Sequence, residues 1–232
     1  MRELPILYIA DMVKAIDEGR KTHTRRIIKP QPISPTKDAY FDKYNNGPQW
    51  NWWTKEGKQY LSQIIKCPYQ PGDHLWIKQN FQITKFCDKF VTGSREDGSH
   101  FIIKLTNDEW AKFKKWKQPY AKKSKLFMFK SLAYKWIEIV SVRAERLQDI
   151  TKDDILKESL TGEYMLYQKW ITLWDSINAK PKPKIYKGKI LHYESYPWFE
   201  DVADRKKVIN GKPHYCYPNA FVWVYQFKRI EK

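Results

Sequence analysis

Eight consecutive residues, Gly19-Arg20-Lys21-Thr22-His23-Thr24-Arg25-Arg26, hold the densest concentration of reactive groups in the chain. A lysine, two threonine hydroxyls, three arginines and the backbone amides around a glycine fall where a helix ends, the chain turns and a strand begins. Strand residues two apart share a face. Thr22, Thr24 and Arg26 are therefore expected on one side and His23 and Arg25 on the other, with Lys21 at the turn leaning over Thr24. Two chemistries fit. In one, the basic corner grips phosphate. In the other, Arg20, Arg25 and Arg26, together with burial, disfavour a further positive charge and leave Lys21 as a neutral amine. Such an amine can take the proton of the Thr24 hydroxyl and make it a nucleophile.

The elements that must position this corner follow from periodicity and punctuation. Leu4 to Ile9 reads as a strand. A helix from Met12 to Glu18 is expected, capped by Asp11 and ended by Gly19. A β-branched strand follows through Thr22 to Ile28, stopped by Pro30, Pro32 and Pro35. Residues 33–70 are polar, aromatic and irregular, and read as an insertion. After the turn Pro71-Gly72-Asp73, a strand is expected from His74 to Ile83, a loop over 84–98 and a strand from His100 to Leu105. Asn107 to Lys117 reads as a basic helix capped by Asn107. Tyr134 to Arg146 alternates as a long strand. Thr151 with Asp154 resembles a capping box that opens a helix to about Ser159. Leu166, Trp170, Leu173, Trp174 and Ile177 form a helical stripe over Glu163 to Ile177. Residues 180–219 read as a second insertion, and Ala220 to Ile230 as a closing strand. The expectation is one α+β domain over 1–232, a small mixed β-barrel with flanking helices and insertions at about 33–70 and 180–219.

Gly19, Lys21, Thr24 and Arg26 fit the pattern GxKxx[E/T]xR, and on it the chain resembles the ASCH domain family of the PUA-like superfamily. Similarity to phage-type ASCH proteins extends to Leu4–Pro32, Pro71 to Lys78, Glu145 to Ile150, Leu173 to Asn178 and Val222 to Phe227, though not to the insertions. The resemblance implies a PUA-like barrel with a ligand cleft. Families of this kind include RNA binders, modified-base readers, proposed ribonucleases and bacterial amidohydrolases that deacetylate N(4)-acetylcytidine. The amidohydrolases are the most similar at the motif, because they too have threonine at the position of Thr24. Their catalytic residues fall on Lys21, Thr24 and Glu158 of this chain. In a mechanism built on that triad, Arg20, Arg26 or the backbone amides near Gly19 are expected to stabilise the oxyanion, Thr22 is a further substrate-binding candidate, and Trp76 or Phe81 is expected to stack on the base. Two positions depart from the family pattern. Lys78-Gln79-Asn80-Phe81 stands where relatives read Arg-Glu-Thr-Trp, and Ser159 stands where glycine is common.

Composition bounds the partners. The 232 residues carry 43 Lys and Arg against 26 Asp and Glu, a formal charge of +17, which concentrates anions such as phosphates around the protein. Aromatics make up 16%, enough both to fill a core and to stack on bases. A nucleoside or nucleobase substrate is expected, and RNA is a second candidate partner. The basic run over 112–125 reads equally as a solvated face. Cys67, Cys87 and Cys216 form no CxxC pair, and no metal-ligand spacing or cofactor motif is present, so neither metal nor cofactor is expected. The cysteine usage and the lack of a signal-type or membrane-spanning apolar run point to a cytoplasmic protein with no membrane association.

Overall fold

In a computed structural model, the described residues are 1–31, 40–43, 49–53, 59–116, 118–162, 164–199 and 208–231, with side chains described outside 32–64. In chain order the elements begin β1 (Glu3–Leu7), α1 (Ala10–Asp17), β2 (His23–Ile27), β3 (Tyr40–Lys43), β4 (Gln49–Trp53) and β5 (Gln59–Lys66). Next come β6 (His74–Lys78), β7 (Phe81–Cys87), β8 (Phe90–Arg95), β9 (His100–Lys104), α2 (Asn107–Phe113) and β10 (Trp136–Arg146). The chain closes with α3 (Lys152–Lys157), α4 (Leu166–Asn178), β11 (Lys182–Tyr186), β12 (Lys189–Ser195), β13 (Val208–Ile209), β14 (Lys212–Cys216) and β15 (Phe221–Ile230). The class is α+β. The strand orders are open, and among the described residues no sheet closes into a barrel.

The chain divides into two compact units. The first comprises Met1–Thr22, Pro71–Val140 and Phe227–Lys232. Here β1 runs parallel to β6, with Leu4 opposite Leu75 and Ile6 opposite Ile77, and β10 pairs antiparallel on the other side, Trp136 opposite Trp76. The expected strand from His74 to Ile83 is broken at Gln79-Asn80, so that β6 and β7 lie in different sheets. Residues 84–98, expected as a loop, instead build most of an antiparallel β7–β8–β9 sheet. Its first turn uses Asp88 and Lys89, both at positive φ, as a tight hairpin turn requires. The apolar faces of this sheet bury Ile83, Val91 and Phe101 against Phe113, Met128 and Leu132. Thr106, not Asn107, caps α2, in a reciprocal capping box with Glu109.

The second unit comprises His23–Gln70 and Ser141–Gln226. β15 pairs antiparallel with β2, Tyr225 opposite Thr24 and Val224 opposite Arg25. The sheet order is β1-β6-β10-β15-β2, so β10 lies on the other side of β15 and, among the described residues, β2 is the last strand. Gln31 ties the two strands where they end: its amide donates to the carbonyls of Ile28 and Phe221 (2.6 and 3.0 Å) and accepts from the Phe221 N–H (2.8 Å). The Leu166, Trp170 and Trp174 stripe of α4 packs with Ile155, Trp198, Val222 and Val224. The segment 180–219, expected as an irregular insertion, forms a sheet in the order β11-β12-β14-β13. The strands β3, β4 and β5 pair in sequence, and the remainder of 33–58 lies outside the described residues. Among the described residues no helix is long and apolar enough to cross a membrane.

Gly93 in β8 has no room for a side chain. A Cβ there would overlap the Gln82 carbonyl oxygen and stand 2.6 Å from the Phe101 ring. Because the obstruction is backbone, Gly93→Ala should cost about 3 kcal/mol or more, read as a lower urea midpoint.

Candidate functional site

Lys21 and Thr24 are three residues apart in sequence and belong to different units. In the first unit, α1 ends at Gly19, which takes φ +73°, and the amides of Arg20 and Lys21 both donate to the Ala15 carbonyl (2.9 and 3.0 Å). This closure folds Lys21 inward. It is 1% exposed, and its Nζ lies 5.8 Å from the centroid of the Tyr8 ring. Arg20 turns outward and donates to Glu18 (Nε to Oε2, 2.7 Å). The Thr22 carbonyl accepts from the Phe227 N–H (2.9 Å). Trp76 and Phe81, expected as stacking rings, are 8% and 1% exposed and are walls of the first unit's core. A base stacked on either would require that core to open.

In the second unit, alternation along β2 separates two environments. Thr24 is 4% exposed and shares its side of the sheet with its register partner Tyr225. The Tyr225 hydroxyl lies 3.4 Å from Cys67 Sγ, and its ring meets Tyr69 edge-on at 5.3 Å. Burial, reinforced by Cys67, pushes the Tyr225 phenol far above its ordinary value. Tyr69 is likewise raised by burial, opposed by the positive charge of Arg26.

The other side of β2 carries Arg25, whose side chain is 0% exposed. Three carboxylates converge on it. Nε donates to Glu145 Oε1 (2.8 Å), and Nη1 donates to Glu158 Oε1 (3.1 Å). Nη2 lies 2.6 Å from Glu145 Oε1 and 3.1 Å from Asp154 Oδ2 as an ion pair, without the alignment of a hydrogen bond. Arg143 closes the group from its outer side, with Nε on Glu145 Oε2 (3.0 Å) and Nη2 on Asp154 Oδ2 (3.3 Å). Arg143 and Glu145 are two apart on β10 and so face the same way. Thr151 caps α3 by accepting from the Asp154 N–H (3.2 Å), which aims Asp154 at the guanidiniums.

Glu158 is the residue that ends α3, and at 2% exposed it is fully inside the fold. Ser159, the next residue, takes φ +100°, a conformation that favours glycine, so the chain turns sharply there at some cost. The cluster holds three carboxylates and two guanidiniums. Burial opposes ionisation of Asp154, yet Arg25, Arg143 and the Thr151 contacts together hold its carboxyl below the usual range. Burial and then Lys157 lower the pKa of His23, and Arg143 adds to this, while Asp154 and Glu158 oppose it. No hydrogen bond joins the Thr24 hydroxyl to Glu158 among the described residues, and none of their His, Cys, Asp and Glu groups is arranged to hold a metal. No family model, curated protein or solved structure matches the chain.

Arg25, Arg143, Glu145 and Asp154 were not singled out by the sequence as a unit. Replacing Arg25 with methionine leaves buried carboxylates without their common partner and should lower the unfolding free energy by about 3–5 kcal/mol at neutral pH, measured by urea titration. Both shifted groups have folded pKa values below their unfolded ones, so each supplies stability that is lost as pH falls. The His23 contribution should begin to fade below 6.5 and that of Asp154 below 3.8, each loss running down to the lowered folded value. His23→Gln should remove the first stage of this acid destabilisation and Asp154→Asn the second.

Proposed function

We propose that the chain is an amidohydrolase that removes acyl groups from the exocyclic amine of N(4)-acylated cytosine or cytidine, on a PUA-like scaffold of the ASCH type. The observation that carries this reading is the burial of three polar side chains at the positions the motif resemblance selects. Lys21, Thr24 and Glu158 are 1%, 4% and 2% exposed. Burying an amine, a hydroxyl and a carboxyl is costly unless each is paired or hydrogen-bonded, and ionisable groups held in this way concentrate at functional sites.

In the proposed reaction the Thr24 hydroxyl, or a water it orients, adds to the acyl carbonyl carbon while Lys21 takes the proton released. The negative charge on the carbonyl oxygen is met by Arg26, which shares the Thr24 side of β2, because Arg20 is turned outward onto Glu18 and the amides around Gly19 already bond the end of α1. The C–N bond to the cytosine amine then breaks, and Glu158 supplies the proton that the leaving nitrogen needs. Water completes the release of the acid. Thr24 and Glu158 lie on opposite faces of β2, so this reading requires the substrate to be reached from both faces of that strand.

A second reading is favoured by the charge of +17: a non-catalytic RNA or modified-base binding module, or a ribonuclease. One experiment separates them. Ultraviolet absorbance of N(4)-acetylcytidine should change with time when the protein is added, and Lys21→Ala and Thr24→Ala should each slow turnover by at least about a hundredfold. No turnover by the wild-type protein, combined with RNA affinity that falls steeply with salt, would establish the binding module instead.

A further inference from the structure

From Trp110 to Ile137 the chain carries nine lysines and no acidic residue. Alone, such a run reads as a solvated face. In the first unit it is set beside exposed rings. The segment after α2 runs along the outer edge of β7, the terminal strand of its sheet. Phe81 and Lys123 exchange backbone hydrogen bonds (3.1 and 2.7 Å), and the Gln82 side-chain amide donates to the Tyr120 carbonyl (3.0 Å). This brings the Tyr120 ring onto Phe86, stacked at 5.5 Å between centroids with the planes 23° apart. Trp110 and Phe113 meet Phe86 edge-on and fix it from behind. Phe113 is buried, but Phe86 is 40% exposed and Tyr120 51%. Tyr120 has Phe86 on one face and half its surface in solvent, where a further flat ring can extend the stack.

Free cations border these rings. Lys112, Lys114 and Lys115 flank Phe113 and Trp116, and Lys122 and Lys123 follow Tyr120. Lys123 Nζ lies over the Trp116 ring, 5.1 Å from its centroid. None of the five forms an ion pair among the described residues. Glu109, the acid at the near end of the run, is spent on Thr106 and Ser131. Leu126 and Phe127 are exposed as well, yet the lysines beside them are committed. Lys125 Nζ donates to the Tyr8 carbonyl and Lys78 Nζ to the Leu126 carbonyl (2.5 and 2.8 Å), and Lys130 pairs with Glu3. Unpaired positive charge therefore gathers at the stacked rings and not at the apolar turn. That distribution favours a partner offering flat rings and phosphates over a lipid surface, which needs charge around the inserting side chains.

We propose that this surface of the first unit binds single-stranded nucleic acid, with a base stacked on Tyr120 and the neighbouring phosphates met by the five lysines. It uses none of Lys21, Thr24 and Glu158 and does not rest on the hydrolase reading. The test is the fluorescence anisotropy of a labelled oligothymidylate titrated with the full chain. Binding should saturate, and the duplex of the same strand with oligoadenylate should bind at least about tenfold more weakly, because paired bases cannot reach a ring. Tyr120→Ala should weaken binding by about tenfold with its salt dependence unchanged, and Tyr120→Phe, which keeps the ring, should bind like wild type. Lys122→Gln combined with Lys123→Gln should make the slope of log affinity against log salt shallower by about 1.4, the loss of two phosphate contacts. The readout is binding alone, so a protein that fails to hydrolyse N(4)-acetylcytidine leaves the proposal standing. No binding of the single strand, equal affinity for the duplex, a Tyr120→Ala variant that binds like wild type, or binding to phosphatidylglycerol vesicles only would overturn it.

Discussion

The second unit depends on one buried guanidinium. Arg25 sits in the middle of β2 with no exposed side-chain surface and draws together Glu145 from β10, Asp154 from α3 and Glu158 from the end of α3. An arginine in such a position is sustained only by charge-assisted bonds that replace its hydration, and its planar fork is what allows several carboxylates to meet it at once. The apolar contacts around it, Ile155 and Trp174 with Val222 and Val224, pack the same face of the same strands. Polar and apolar contacts therefore specify a single register between β2, β15 and α3. A one-residue slip of β2 would bring Thr24 to the carboxylates and put Arg25 beside Tyr225.

That constraint determines what the neighbouring residues can do. With Arg25 committed inward, Thr24 is committed to the other side, against the aromatic and thiol surface of Tyr225, Tyr69 and Cys67. A hydroxyl in this surrounding is shielded from water, and a nucleophile that must not be outcompeted by solvent gains from such shielding. Glu158 is held rigid by the same arginine.

Local signals made much of the scaffold legible. The Leu166, Trp170, Trp174 stripe, the Thr151 cap with Asp154 and the Gly19 terminus each act within a turn or two of helix, and the sequence displays them directly. The β7–β8 hairpin was read as loop because Lys85, Asp88 and Lys89 dilute its alternation and its turn carries no glycine. Residues 182–195 were hidden by lysines and a proline on strands that are largely exposed and have little apolar pattern to show. The Arg25 cluster was beyond local reading for a different reason: its bonds span 120 and 133 residues, and no spacing rule reaches so far.

The most direct test of the hydrolase account isolates the Thr24 oxygen from the shape of its side chain. Initial rates on N(4)-acetylcytidine would be compared for wild type, Thr24→Ser and Thr24→Val, with unfolding curves confirming that all three are folded. The account predicts that serine keeps the rate within about tenfold of wild type and that valine, which matches threonine in size but has no hydroxyl, loses it. A valine variant as active as the wild type would contradict it.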